Sequence, residues 1–186
     1  MATRPLAVAI TGGIAAGKSE ALAAFGRHGV PTLSADAVVH DLLANDEDVR
    51  RAVGERWGAD AVGSRVRIGE IVFRDRVELD WLERLLHPKT RAIADAWLGR
   101  VKEPLAAVEV PLLYETQGEG RFDKVVVITA PAAVREARRA AMPEREDRLV
   151  SDEEKAKRAD FVFVNDGSLE DLDAFVQTVI DTLCAS

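Results

Sequence analysis

Residues 7–25 read AVAITGGIAAGKSEALAAF, an apolar run, a glycine-rich turn and a stretch of helical composition. Few features constrain a fold so tightly. Gly12, Gly17, Lys18 and Ser19 fit the pattern G-x-x-x-x-G-K-[ST], whose chemistry requires a strand before it and a helix after it. Glycines let successive backbone N–H groups converge on phosphate oxygens, and the helix N-terminus adds positive potential. Lys18 then reaches the β- and γ-phosphates and Ser19 ligates Mg²⁺. An ordinary glycine turn with a surface lysine would not need all of these parts together.

The remainder of the chain must therefore supply a parallel α/β sheet. Leu6–Thr11, Pro31–Ser34, Ala106–Val110, Lys124–Thr129 and Phe161–Val164 read as strands, several almost continuously apolar, as strands covered on both faces are. Helical composition fills 18–28, 36–43, 47–57, 78–86, 90–101, 132–139 and 169–183, and crossover helices are what parallel neighbours need. Two segments break the alternation. From 41 to 100 the chain is nearly all helical, which suits a substrate-binding insert; 138–158, rich in both charge signs, is expected to be exposed and lid-like. The core is then 1–40, 101–137 and 159–186, all within one domain.

With 186 residues, a core can form without disulfides or a structural metal, and the single cysteine, Cys184, can neither close an intrachain bridge nor build a zinc cluster. A net charge of −7 argues against a nucleic-acid partner, since a phosphate-coating surface needs excess Lys and Arg. No apolar span reaches membrane length and no signal peptide is evident, so the expectation is a cytoplasmic monomer.

A nucleotide loop alone does not select a reaction. There is no N-K-x-D guanine reader. Asp36, in LSADAVVHDLL after the second strand, lies at the carboxyl edge where α/β folds bind ligands. It can accept a proton from a substrate hydroxyl, or it can cap the helix. Glu109 is unusual within the apolar strand AAVEV, because a carboxylate there needs a partner. Glu115 follows in VPLLYE, and His87, Pro88 and Arg91 lie in LLHPKTR between two amphipathic stretches.

In order, TGGIAAGKS, SADAVVHDLL, LLHPKTR, VEVPLLYE and KRADFVFVNDGSLEDL resemble the motifs of the dephospho-coenzyme A kinases, over nearly the whole chain. The resemblance implies a three-layer P-loop kinase fold with a five-stranded parallel sheet, a helical CoA-binding insert and a lid. The implied reaction moves the γ-phosphate of ATP, with Mg²⁺, to the ribose 3′-hydroxyl of dephospho-CoA, the last step of coenzyme A synthesis. Other kinases of this fold, or a non-catalytic nucleotide-binding relative, are the alternatives.

By matching position, Asp36 is the base or hydroxyl positioner and acts with Lys18; Gly13, Ile14, Ala15, Ala16, Gly17, Lys18, Ser19 and Glu20 surround the ATP phosphates, Ser19 on the metal. Arg138, Arg139, Arg145 and Arg148 are candidates for closing over the phosphates. Asn165 and Gly167 pass near the adenine, and His87, Arg91 and Glu115 face the acceptor. Family loops usually read G-S-G-K-S-T, so Ala15, Ala16 and Glu20 are departures, as is Ser34 where an acid is frequent. Alanine at positive φ would be strained, and Glu20 is expected to face outward or to meet a lid arginine.

Overall fold

The apolar runs pair side by side into one sheet. A computed structural model describes residues 4–138 and 150–185, without the side chains of 137 and 138. Strands β1 (Leu6–Gly12), β2 (Thr32–Ser34), β3 (Leu105–Glu109), β4 (Lys124–Thr129) and β5 (Phe161–Val164) lie in the order β2-β3-β1-β4-β5. Every pairing is parallel. Helices α1 (Lys18–Arg27), α2 (Ala35–Asn45), α3 (Glu47–Trp57), α4 (Arg65–Arg74), α5 (Arg76–Leu98), α6 (Ala132–Arg138), α7 (Asp152–Lys157) and α8 (Leu169–Cys184) connect or follow the strands.

Two compact units result: Met1–Ser34 with Leu98–Ser186, and Ala35–Trp97. In the sheet-bearing unit, side-chain alternation divides the core between two faces. Val8, Ile10, Leu105, Ala107, Val126 and Ile128 pack with Ala21, Ala24 and Phe25 of α1 and with Leu172, Val176 and Val179 of α8. On the other face Ala9, Val125 and Val127 pack with Leu113 and Tyr114, and Val150 and Ala159 lie against that cluster. Three layers follow from period-two strands flanked on both sides.

The Ala35–Trp97 unit holds α2, α3 and α4 and nearly all of α5, and opens where α2 starts directly after β2. Its helices start on side-chain caps: Asp46 accepts from the Val49 N–H at 2.9 Å before α3, and Ser64 from the Arg67 N–H at 3.3 Å before α4. Trp57 and Trp81 meet edge to face at 4.9 Å, and Glu78 accepts from both Arg56 and the Trp57 indole.

Two expectations need correction here. The segments 78–86 and 90–101 are not separate helices, because α5 runs unbroken through Pro88. Proline removes the N–H that would bond to the Arg84 carbonyl, yet Pro88 and Arg84 both lie on the exposed side of the helix, open to solvent. Leu82, Leu86, Ala94 and Leu98 are buried along the opposite stripe and carry the helix across. The charged segment 138–158 is also not wholly exposed. Ser151 caps α7, and Lys155 within it is buried.

Candidate active site

At the carboxyl edge of the sheet the strand ends converge on the turn after β1. Only glycine fits at position 12: φ is +146°, and a Cβ there would lie 1.8 Å from the Ile128 carbonyl oxygen. Gly17, at φ +100°, turns the chain into α1. The loop closes on itself, with Lys18 Nζ donating to the Gly13 carbonyl at 2.8 Å and Ala16 N–H to the same oxygen at 3.3 Å.

From β5, Asn165 holds the loop from outside. Its side chain is buried, with 5% exposure; Nδ2 donates to the Ala16 carbonyl at 2.9 Å, and Oδ1 accepts from the Gly167 N–H at 3.1 Å. The Asn165 N–H itself donates to Thr129 at 2.8 Å. The sequence places this turn near the adenine through exposed backbone groups and carries no signal of a side chain clamping the phosphate loop.

Glu109 ends β3, aligned with Ser34 of β2 on one side and Ile10 of β1 on the other. Its carboxylate is buried at 4% exposure and accepts from both hydroxyls, Ser19 Oγ at 3.0 Å and Ser34 Oγ at 3.1 Å. The partner that Glu109 needed is therefore the phosphate-loop serine. A hydroxyl beside a carboxylate is a hard oxygen donor set, which suits Mg²⁺ completed by phosphate oxygens and water. Ser34, lacking an acid of its own, is joined to the acid on β3.

The loop's departures separate by conformation. Ala15 has φ +56°, in the left-handed region, whereas Ala16 does not and is fully buried. The strain expected of an alanine falls on Ala15 alone. Glu20 faces outward and pairs with Arg27 of its own helix at 2.8 Å; Arg27 also contacts Asp173 of α8 at 2.9 Å.

Glu115 lies after β3 in a buried ion pair. Its Oε1 is 2.9 Å from Lys155 Nζ and accepts from the Val150 N–H at 3.1 Å, while Oε2 is buried without a hydrogen-bond partner among the described residues. Lys155 gave no sequence signal of this, since DEEKAKR reads as a solvated helix. Ile14 and Gly13 border a cavity of about 280 Å³ together with Arg135, Val150, Ser151, Asp152 and Lys155.

In the Ala35–Trp97 unit, Asp36 is exposed in the first turn of α2, two residues after Ser34 in the chain. His87 and Arg91 sit one turn apart on α5, with Glu83 one turn earlier. Burial holds the His87 imidazole below its ordinary pKa, Glu83 opposing and Arg91 adding to the shift. Arg138 is the last residue of α6, its side chain outside the description; Arg139, Arg145 and Arg148 lie outside the described residues. No helix among the described residues is long and apolar enough to cross a membrane.

Comparison with known proteins identifies the family. Residues 6–171 match the family model described as dephospho-CoA kinase. A dephospho-CoA kinase of Mesorhizobium japonicum is 38% identical over 190 residues, covering 96% of each chain. Among solved structures, TT1252 from Thermus thermophilus superposes with a TM-score of 0.82 at 32% identity, over 97% of this chain and 99% of that one. The dephospho-CoA kinase from Campylobacter jejuni does so with a TM-score of 0.67 at 25% identity, over 97% and 98%. The phosphate loop, the parallel sheet that presents it and a match spanning most of the chain lead to one conclusion: this chain belongs to the dephospho-CoA kinase family, ATP-using kinases of coenzyme A biosynthesis.

Proposed function

We propose that the chain moves the γ-phosphoryl group of ATP to the ribose 3′-hydroxyl of dephospho-CoA, using Asp36 as the group that receives or orients the hydroxyl proton. The acceptor oxygen forms a bond to the γ-phosphorus as the bond to the ADP leaving oxygen breaks, and the proton passes to the carboxylate. Positioning and charge stabilisation carry such a transfer. Lys18 and the loop amides hold the phosphates, and the Asn165 clamp keeps the amides in place.

Ser19 would hold Mg²⁺, with Glu109 fixing the serine hydroxyl and accepting from metal-bound water. The ion when bound would neutralise charge on the β- and γ-phosphates. His87 and Arg91 are proposed to face the acceptor, with burial disfavouring the charged form of His87. Glu115 is proposed to serve the acceptor side through the segment it anchors. The protein is proposed to act as a monomer in the cytoplasm.

The observation that carries this reading is the Ser19–Glu109 contact at the mouth of a complete phosphate loop. Two departures that could suggest a non-catalytic relative lose their force. Glu20 turns away to Arg27, and Ser34 shares the acid on β3. Asp36→Asn tests the assignment: ATP affinity stays, and transfer falls by about two orders of magnitude or more, the effect of a lost general base. Near-normal turnover in that variant would remove Asp36 from the chemistry.

A further inference from the structure

Beside the phosphate loop stands an acid that the reaction does not call for. Asp152 packs directly on Gly13: a Cβ built there would lie 2.7 and 2.8 Å from the two carboxylate oxygens. The same carboxylate is 3.5 Å from Arg135 Nη1. Arg135 Nε is buried and meets no hydrogen-bond partner among the described residues. Both line the cavity of about 280 Å³ with Gly13 and Ile14, many times the roughly 30 Å³ a water occupies.

This cavity lies at the terminal-phosphate end of the loop. Lys18, the residue that reaches the β- and γ-phosphates, ends on the Gly13 carbonyl. At the other end, Asn165 holds Ala16. Among the described residues the other cation lining the cavity, Lys155, is engaged with Glu115, and Arg135 is the described guanidinium that lines it.

Resting on the kinase reading above, we propose that Arg135 binds the terminal phosphate of the nucleoside triphosphate, and that Asp152 occupies this guanidinium beforehand as an internal stand-in for phosphate. The contact between Asp152 and Arg135 is long, at 3.5 Å, where a guanidinium–carboxylate bond is normally about 2.7–2.9 Å, so a phosphate oxygen can replace it. A carboxylate against Gly13 also repels a phosphate in the loop, since like charges at close range disfavour one another. Triphosphate binding therefore has to displace the acid, and ADP, lacking the γ group, has less need to do so.

Calorimetric titration of the whole protein with ATP and with ADP, both with Mg²⁺, tests this without reference to the acceptor. Asp152→Asn should tighten ATP at least about five-fold and ADP less, the effect of removing one nearby negative charge. Arg135→Gln should weaken ATP about ten-fold and leave ADP within about two-fold, as loss of a charged phosphate contact would. Asp152→Ser should repeat the asparagine result, and each variant's thermal transition establishes that it is folded. An unchanged or weaker ATP affinity in both Asp152 variants, or equal effects of Arg135→Gln on ATP and ADP, overturns the inference. A wild-type protein that binds neither nucleotide overturns the kinase reading and this inference with it.

Discussion

Lys155 and Glu115 join the helix α7 to the segment after β3, and the structure sets the price of separating them. The two side chains are 2% and 10% exposed, with Nζ and Oε1 at 2.9 Å. Replacing Lys155 by Met leaves a buried carboxylate with, among the described residues, only the Val150 N–H, since Oε2 has no partner among them. Breaking such a pair from one side destabilises by about 3–5 kcal/mol, which in a chain of this size lowers the thermal midpoint by roughly 6–20 °C. The double variant Lys155→Met with Glu115→Leu removes both charges and should regain most of that loss, because an apolar replacement of a buried pair is often neutral. Thermal and urea unfolding followed by far-UV circular dichroism measure both proteins. A single variant within about 1 kcal/mol of wild type, or a double variant no better than the single, would mean that the pair is hydrated and that its burial does not control stability.

Three further outcomes are expected. Ala15→Gly relieves a left-handed alanine worth about 1–2 kcal/mol, offset in part by the greater freedom of glycine in the unfolded chain, whereas Ala16→Gly at the next position should destabilise by about 0.5–1 kcal/mol; unfolding midpoints that move in the same direction would contradict the loop geometry. Asn165→Ala orphans the Ala16 carbonyl and loosens the cradle, so ATP affinity measured by calorimetry should fall by about ten-fold, as for a lost buried hydrogen bond; an unchanged affinity would show that the loop holds its shape unaided. Burial depresses the His87 pKa, so between the unfolded value near 6.5 and the lower folded value the unfolded chain binds the proton and stability falls as pH falls. His87→Leu should flatten that part of the stability profile, and an unaltered slope just below pH 6.5 would count against a half-buried imidazole.

Local pattern carried much of the fold. The runs starting at Leu6 and Lys124 became strands because continuous apolar residues between turns have few other solutions in a parallel sheet; the run at Phe161 also became a strand, but at the sheet edge with Val162 and Val164 exposed, not covered on both faces. Pro88 misled because local preference says break while the buried stripe on either side, Leu82, Leu86, Ala94 and Leu98, says continue, and packing prevailed. Glycine spacing exposed the phosphate loop, and an acid in an apolar strand marked Glu109 as needing a partner. Which partner it has depends on β2 and β1 flanking β3, a long-range fact of strand order. Lys155, Asp152 and Arg135 were illegible for the same reason: each looks like a solvated charge until α6 and α7 are brought against the loop. The side chain of Asn165 was hidden likewise, since its target is a carbonyl 149 positions away.

The central claim is a phosphoryl transfer from ATP to a specified hydroxyl, and product analysis addresses it directly. Purified protein is incubated with ATP, Mg²⁺ and dephospho-CoA, and the acceptor is followed by mass spectrometry and phosphorus NMR. The account predicts an acceptor heavier by one phosphoryl group, carried as a monoester on the ribose 3′-oxygen, with one ADP formed per product and about a hundred-fold or more slower product formation with Asp36→Asn. ADP formed without a modified acceptor, or a phosphate on a different oxygen, would contradict it.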